Sequence, residues 1–107
     1  MDKETIQVEV YGLEQRCASC VNLPSSKETA SWLEAALQRK YGSQVAVVYV
    51  DLDSPENDRQ QQFATKIVDE DLWYPVVIIQ QDIVAEGNPK LKTIYESVEK
   101  LGAIAQD

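Results

Sequence analysis

The segment Arg16-Cys17-Ala18-Ser19-Cys20-Val21-Asn22-Leu23-Pro24-Ser25-Ser26 holds the only two cysteines of this 107-residue chain, two residues apart. A strand-like run, Ile6 to Tyr11, precedes the segment, and a strongly helical run, Lys27 to Tyr41, follows it. A Cys-x-x-Cys motif between a strand and a helix is typical of a redox pair in an α/β protein. The segment therefore predicts both the class of fold and the place of its chemistry.

The rest of the chain predicts seven elements in the order β-α-β-α-β-β-α. Strands are expected at 5–11, 45–52, 76–79 and 83–85, and helices at 27–41, about 55–69 and 89–101. Residues 5–11 alternate apolar and polar, which predicts an edge strand or a strand with one buried face. Residues 45–52 are almost continuously apolar, which predicts a central parallel strand covered on both faces.

Sequence signals for helix starts precede all three helices. Ser25 with Glu28 fits a capping box. Ser54 and Asn88 are each followed by a proline, which predicts a capping residue and then the first helical position. The side chains expected to be buried by the helices are Ala30, Leu33, Leu37, Tyr41, Phe63, Ala64, Ile67, Leu91, Ile94, Tyr95, Val98 and Leu101.

The order of elements also limits the topology. A right-handed crossover places the first two strands parallel, and the short connection between the last two predicts an antiparallel hairpin. The expected fold is a thioredoxin-like three-layer α/β fold with a four-stranded mixed sheet, formed by a single domain over residues 1–107.

Composition excludes several classes of function. The net charge is −8, which disfavours nucleic acid and anionic membranes as partners. The chain has no histidine, so a Cys-His pair, a Ser-His triad and a Cys2His2 zinc site are excluded. No apolar run is long enough to span a bilayer, and the N-terminus does not read as a signal peptide. The expected location is the cytoplasm, where paired cysteines are typically catalytic or metal-binding.

The two cysteines are expected to have different roles. A thiolate near a helix N-terminus is stabilised by the helix dipole. In such a pair the N-terminal, more exposed cysteine usually attacks, so Cys17 is assigned as the nucleophile and Cys20 as the resolving thiol. Arg16 adds a neighbouring cation, and the Ser19 hydroxyl can donate to a thiolate. Two alternatives stay open: inert cysteines, or half of a metal site shared between two chains.

Tyr74-Pro75 is the second expected part of the site. Pro75 opens the predicted third strand, where a cis proline would present the backbone of Tyr74 to an extended peptide. The alternative is a trans proline, which is allowed at the start of a strand. Trp73 is expected either to flank this site or to pack, and Trp32 to be half-exposed. Asp51 and Asp53 follow the second strand. A buried acid there is expected to assist proton transfer to Cys20, and the alternative is a helix-capping role for Asp53.

With these residues in hand, the chain resembles the YuzD family of small thioredoxin-like proteins from Gram-positive bacteria. The specific parts are Tyr11-Gly12, Cys17 to Asn22 continuing to Lys27, Trp32-Leu33-Glu34, Arg39-Lys40-Tyr41 and Tyr74-Pro75. The resemblance implies a disulfide oxidoreductase, although Ala-Ser stands where thioredoxin has Gly-Pro between its cysteines.

Two functions are therefore expected. The first is a thiol-disulfide oxidoreductase, without a cofactor, that acts through Cys17 and Cys20 on a specific protein partner held by Tyr74, Pro75, Arg16 and Ser19. The second is a non-enzymatic interaction module with the same fold, possibly a dimer that binds metal through paired Cys-x-x-Cys motifs. The chain is expected to be a monomer or a homodimer.

Overall fold

In the computed structural model of the protein, which describes residues 5–13, 26–73, 75–87 and 89–105, four strands form one mixed sheet. The predicted order of elements is confirmed. The elements are β1 (Ile6–Gly12), α1 (Ser26–Tyr41), a 3-10 turn (Gly42–Gln44), β2 (Val45–Asp51), α2 (Asp58–Asp69), β3 (Val76–Ile79), β4 (Asp82–Glu86) and α3 (Leu91–Lys100).

The strands lie in the order β2-β1-β3-β4. β1 and β2 are parallel, with Val10 opposite Tyr49, and β1 and β3 are antiparallel, with Val10 opposite Val77. β3 and β4 form the predicted antiparallel hairpin, in which the register shifts between Val77 and Ile78. The predicted parallel pairing of the first two strands and the predicted hairpin of the last two are both confirmed.

The positions predicted for the first two strands are wrong. β1 is central, and every residue after Gln7 in it is buried, whereas β2 lies at the edge of the sheet. β1 only looks amphipathic, because its acidic residue, Glu9, is buried next to a cation and not in water. β2 is continuously apolar because side chains on both of its faces pack against the helical layers.

Helices cover both faces of the sheet. Val8 and Val10 of β1 pack in one cluster with buried residues of α1 and α3, such as Leu33 and Ile94. Tyr11 of β1 belongs to a second cluster on the opposite face, formed with α2. Successive strand residues point to opposite faces, so one strand supplies both clusters. The three-layer arrangement predicted from the sequence is confirmed.

Two of the predicted helix starts are wrong. α2 begins at Asp58, because the side chain of Asn57 accepts a hydrogen bond from the Gln60 amide at 2.9 Å and caps the helix. The amide of Ser54 instead donates to the carbonyl of Asp51 in the turn that ends β2. α3 begins at Leu91, two residues after Pro89. The expected caps Ser25 and Asn88 lie outside the described residues.

Burial by the helices follows the prediction closely. All four side chains expected in the core from α1 are buried, and so are Ile67, Ile94 and Val98. Phe63, Leu91 and Tyr95 are only half-buried, and Leu101 is 46% exposed because α3 has already ended at Lys100. None of the described helices is long and apolar enough to cross a membrane.

Candidate functional site

The segment that carries the two cysteines leaves and rejoins the described structure at two neighbouring points. It departs after Leu13, at the end of β1, and returns at Ser26, the first residue of α1. Gly12 and Ser26 are in close contact: a Cβ added to Gly12 would overlap Cβ and Oγ of Ser26 and would lie 3.6 Å from its Cα. Glycine at position 12 is therefore what allows the two ends to meet.

The residues between these two ends include four of the predicted site residues. Arg16, Cys17, Ser19 and Cys20 lie outside the described residues, and so does Tyr74. Their roles, and the cis form of the Tyr74–Pro75 bond, stay predictions.

Pro75 is described, and it lies at the same end of the sheet. In the antiparallel register, Tyr11 stands opposite Val76, so one further step places Pro75 next to Gly12. Pro75 is buried and comes directly before β3. The structure thus brings the predicted proline to the end of β1 from which the cysteine segment departs.

Trp73 lies beside this end of the sheet, and 76% of its surface is exposed. Its amide donates to Oε2 of Glu86 at 2.9 Å, and its carbonyl accepts from the amide of Gly87 at 2.8 Å. Trp73 was expected either to flank the site or to pack against other side chains, and its high exposure shows that the packing prediction is wrong. Trp32 on α1 is half-exposed, as predicted, at 48%.

The predicted acid at the end of β2 is not a buried group. Asp53 is exposed, and Asp51 is half-buried. The Asp51 Oδ1 atom accepts from the amide of Asp53 at 2.8 Å, so this carboxylate stabilises the turn after β2. The predicted helix-capping role of Asp53 is also wrong, because the residue that caps α2 is Asn57.

A buried charged cluster was missed by the sequence analysis. The Glu9 carboxylate, on the β1 face that α2 covers, lies 3.2 Å from the Arg59 guanidinium. Arg59 also donates to the carbonyl of Gln80 and lies over the ring of Phe63, 5.0 Å from its centroid. Phe63 in turn makes an edge contact with the fully buried ring of Tyr11. A sequence signal was present, namely an acid within the apolar run of β1.

Burial controls the protonation of this cluster. Desolvation raises the pKa of the Glu9 carboxyl above its ordinary value, and the positive charge of Arg59 opposes this only in part. Burial and the nearby Glu9 carboxylate likewise raise the pKa of the Tyr11 hydroxyl. Within the described part of the chain, neither the Tyr11 hydroxyl nor Oε1 of Glu9 completes a hydrogen bond of good geometry. The ion pair with Arg59 is therefore the contact that partly offsets the burial of the Glu9 charge.

We expect the stability of Glu9→Gln relative to that of wild type to increase as the pH rises above 4.5, the ordinary pKa of the glutamate carboxyl. A carboxyl with a raised pKa stabilises the fold below its unfolded value of 4.5, and this contribution is lost as the pH rises through the folded value. Glutamine cannot ionise, so the variant keeps the contribution. Urea unfolding at pH 5, 6, 7 and 8 measures the difference. Glu56→Gln, at an exposed position, is the control, and parallel pH profiles for Glu9→Gln and wild type would contradict the prediction.

The described residues offer no site for a metal ion. No group of three or more His, Cys, Asp or Glu side chains comes together within ranges 5–13, 26–73, 75–87 and 89–105. The cysteines themselves lie outside these ranges, so the shared metal site considered above stays an untested alternative.

Comparison with known proteins gives one family over most of the chain. Residues 9–99 match the family described as protein of unknown function DUF1462. A protein of Bacillus subtilis named "Putative disulfide oxidoreductase YuzD" is 48% identical over 99 residues, which cover 91% of this chain and 92% of that protein.

Solved structures agree with the fold. A protein of unknown function from Staphylococcus aureus, known from a crystal structure, has a TM-score of 0.75 and 34% identity, with 91% of each chain covered. A malarial protein has a TM-score of 0.52 and 19% identity, with 91% of this chain and 97% of that chain covered, which shows a shared fold alone. From the matched residues and the identity to its relatives, the chain belongs to the YuzD family, DUF1462.

Proposed function

We propose that the protein is a cytoplasmic thiol-disulfide oxidoreductase that uses Cys17 and Cys20 on a protein partner. The observation that carries the proposal is the meeting of three features at one end of the central strand. These are the two ends of the cysteine segment, Gly12 and Ser26, and the buried Pro75 on the neighbouring strand. The name of the 48% identical relative supports the same class of activity.

The proposed reaction needs only the two thiols and the partner's disulfide. The Cys17 thiolate attacks one sulfur of that disulfide, which forms a mixed disulfide and releases the partner's first thiolate. The Cys20 thiolate then attacks Sγ of Cys17, which closes the Cys17–Cys20 disulfide and releases the partner's second thiolate. Two electrons pass from the protein to the partner, and the same steps in reverse oxidise a dithiol.

The described framework suits this chemistry in two ways. The cysteine segment rejoins the described chain at Ser26, the first residue of α1, and the N-terminus of that helix is proposed to stabilise the Cys17 thiolate. Pro75 lies at the start of β3, and the backbone of Tyr74, just before it, is proposed to hold an extended partner segment through main-chain hydrogen bonds. Arg16 and Ser19, next to the cysteines, are proposed to support the thiolate and the bound segment.

The reduction potential of the Cys17/Cys20 pair is the direct test. The protein is equilibrated with glutathione buffers, and its free thiols are alkylated and counted. We expect a two-electron couple between about −270 and −120 mV, the range of known exchange proteins. Failure to form an intramolecular disulfide would overturn the proposal. One metal ion bound per two chains would instead favour the interaction module.

Cys17→Ser is expected to reduce disulfide exchange to the uncatalysed rate, because a serine hydroxyl is not ionised at neutral pH and cannot replace a thiolate. Cys20→Ser is the matched control. It keeps the nucleophile but lacks the resolving thiol, so it is expected to accumulate the mixed disulfide with the partner. Non-reducing gels of both variants with a disulfide substrate measure this. Full exchange activity in Cys17→Ser, or trapping by that variant, would reverse the assignment.

A further inference from the structure

We propose that Trp73 selects the redox partner by binding a lysine or arginine side chain that lies close to the partner's reactive cysteine. This inference rests on the proposed function and adds the chemical character of the substrate. Three observations carry it: the exposure of the indole, the fixed backbone that presents it, and the charge around it.

The exposure of Trp73 is unusual for this chain. With 76% of its surface exposed, it is the most exposed large apolar side chain in the described residues. Tryptophan is usually buried over much of its surface. It is also the side chain most enriched where partners bind, because it offers a large apolar area with a polar N–H. The solvent-exposed indole of Trp73 is therefore accessible to a binding partner.

The backbone of Trp73 is held on both sides. Glu86, the last residue of β4, accepts from the Trp73 amide through Oε2, and the Gly87 amide donates to the Trp73 carbonyl. Gly87 has φ of +75°, a conformation that favours glycine. These bonds tie the segment before β3 to the end of β4. Little backbone entropy is then lost when a partner binds the indole.

The position of Trp73 places it within reach of the proposed peptide. It precedes Pro75 by two residues, a span of about 7 Å for an extended chain. A partner segment bound beside Pro75 is therefore proposed to bring a side chain near its reactive cysteine to the indole. Trp73 is thus a specificity-determining residue in this proposal and takes no part in the exchange itself.

The surroundings of Trp73 favour a cation. Asp69, Glu70, Asp71 and Glu86 are all exposed and close to it in the chain or through the hydrogen bond described above. Within the described residues, the only cation paired with any of them is Lys66, 3.7 Å from Glu70. The face of an indole is also the best aromatic site for a lysine or arginine. An apolar or acidic partner residue would gain less from this surface.

Three disulfide-linked peptides test the inference. They are identical except for lysine, norleucine or glutamate two residues from the cysteine, and the rate constant of their reaction with the reduced protein is measured. We expect the lysine peptide to react fastest. Trp73→Ala is expected to slow the lysine peptide about fivefold while changing the norleucine peptide less, which matches the strength of an exposed cation–π contact. The lysine-to-norleucine ratio therefore falls.

Trp32→Ala is the matched control, since it removes the other exposed tryptophan, on α1, and keeps the net charge. It should leave the ratio unchanged. Measurements in 0.5 M NaCl remove long-range steering by the acidic surface, and the effect of Trp73 should persist there. An unchanged ratio in Trp73→Ala, or a norleucine peptide as fast as the lysine peptide in wild type, would overturn the inference.

Peptide binding can also be measured in the absence of disulfide exchange, so that this inference is tested separately from the proposed function. The same peptides with serine in place of cysteine are titrated, and the two indole N–H signals are followed by NMR. We expect the Trp73 signal to shift with the lysine peptide and not with the glutamate peptide, while the Trp32 signal stays in place. No shift at Trp73 would refute the inference even where the cysteines exchange normally.

Discussion

Gly12→Ala is expected to lower the free energy of unfolding by about 3 kcal/mol, at the upper end of the usual cost of overpacking. The added methyl group would overlap both Cβ and Oγ of Ser26. A change of rotamer moves Oγ but not Cβ, which is fixed to the backbone of α1. The first turn of the helix must therefore move away from β1. Urea unfolding measures the change.

A second substitution at the contact isolates this cause. Ser26→Gly removes the two atoms that the new methyl group would meet, and the next neighbour, Cα of residue 26, lies at an ordinary contact distance of 3.6 Å. Ser26→Gly alone is expected to cost about 0.5 kcal/mol, because glycine replaces serine at the first residue of α1. The double variant Gly12→Ala/Ser26→Gly should then be more stable than Gly12→Ala. Strictly additive effects would show that the contact is not the source of the loss.

Ile67→Ala is expected to cost about 3 kcal/mol, in the middle of the range for truncating a buried isoleucine. Ile67 is 2% exposed and packs with Tyr11, Val76 and Ile78 beneath α2. Most other residues of α2 are exposed, so this side chain provides a large share of the contact between that helix and the sheet. Equilibrium unfolding by circular dichroism measures the loss.

The next residue along α2 provides the control. Val68 is 67% exposed, and Val68→Ala replaces a β-branched residue by a better helix former. It should change the free energy of unfolding by less than about 0.5 kcal/mol. Equal losses for Ile67→Ala and Val68→Ala would mean that α2 does not pack on the sheet through the face described here.

The element order, the strand pairings and most of the core followed from the sequence, because each rests on local information. The spacing of Leu33, Leu37 and Tyr41 identifies the buried face of α1, and the short connection before β4 requires a hairpin. The family could also be predicted from the sequence, because its members share short sequence motifs. Pro75 was correctly expected at the opening of β3.

What the sequence could not provide depends on contacts between distant residues. β1 lies at the centre of the sheet, which the sequence of β1 alone does not indicate. The burial of Glu9 in this strand is explained by its pairing with Arg59, fifty positions later in the chain. The close approach of Gly12 to Ser26 is equally non-local, since the cysteine segment separates them. The cap of α2 is Asn57 and not the predicted Ser54, because Ser54 belongs to the turn after β2.

The edge position of β2 has a consequence for handling the protein in solution. Within the described residues, β2 has a strand partner on one side only, and its first six residues carry no charge. The other edge strand, β4, begins and ends with an acid and carries a register shift, features that discourage pairing between copies. Protection of the β2 edge then falls to the mutual repulsion of molecules with a net charge of −8. Concentrated stocks should accordingly stay clear and monodisperse at neutral pH and lose that colloidal protection as acidification neutralises the carboxylates.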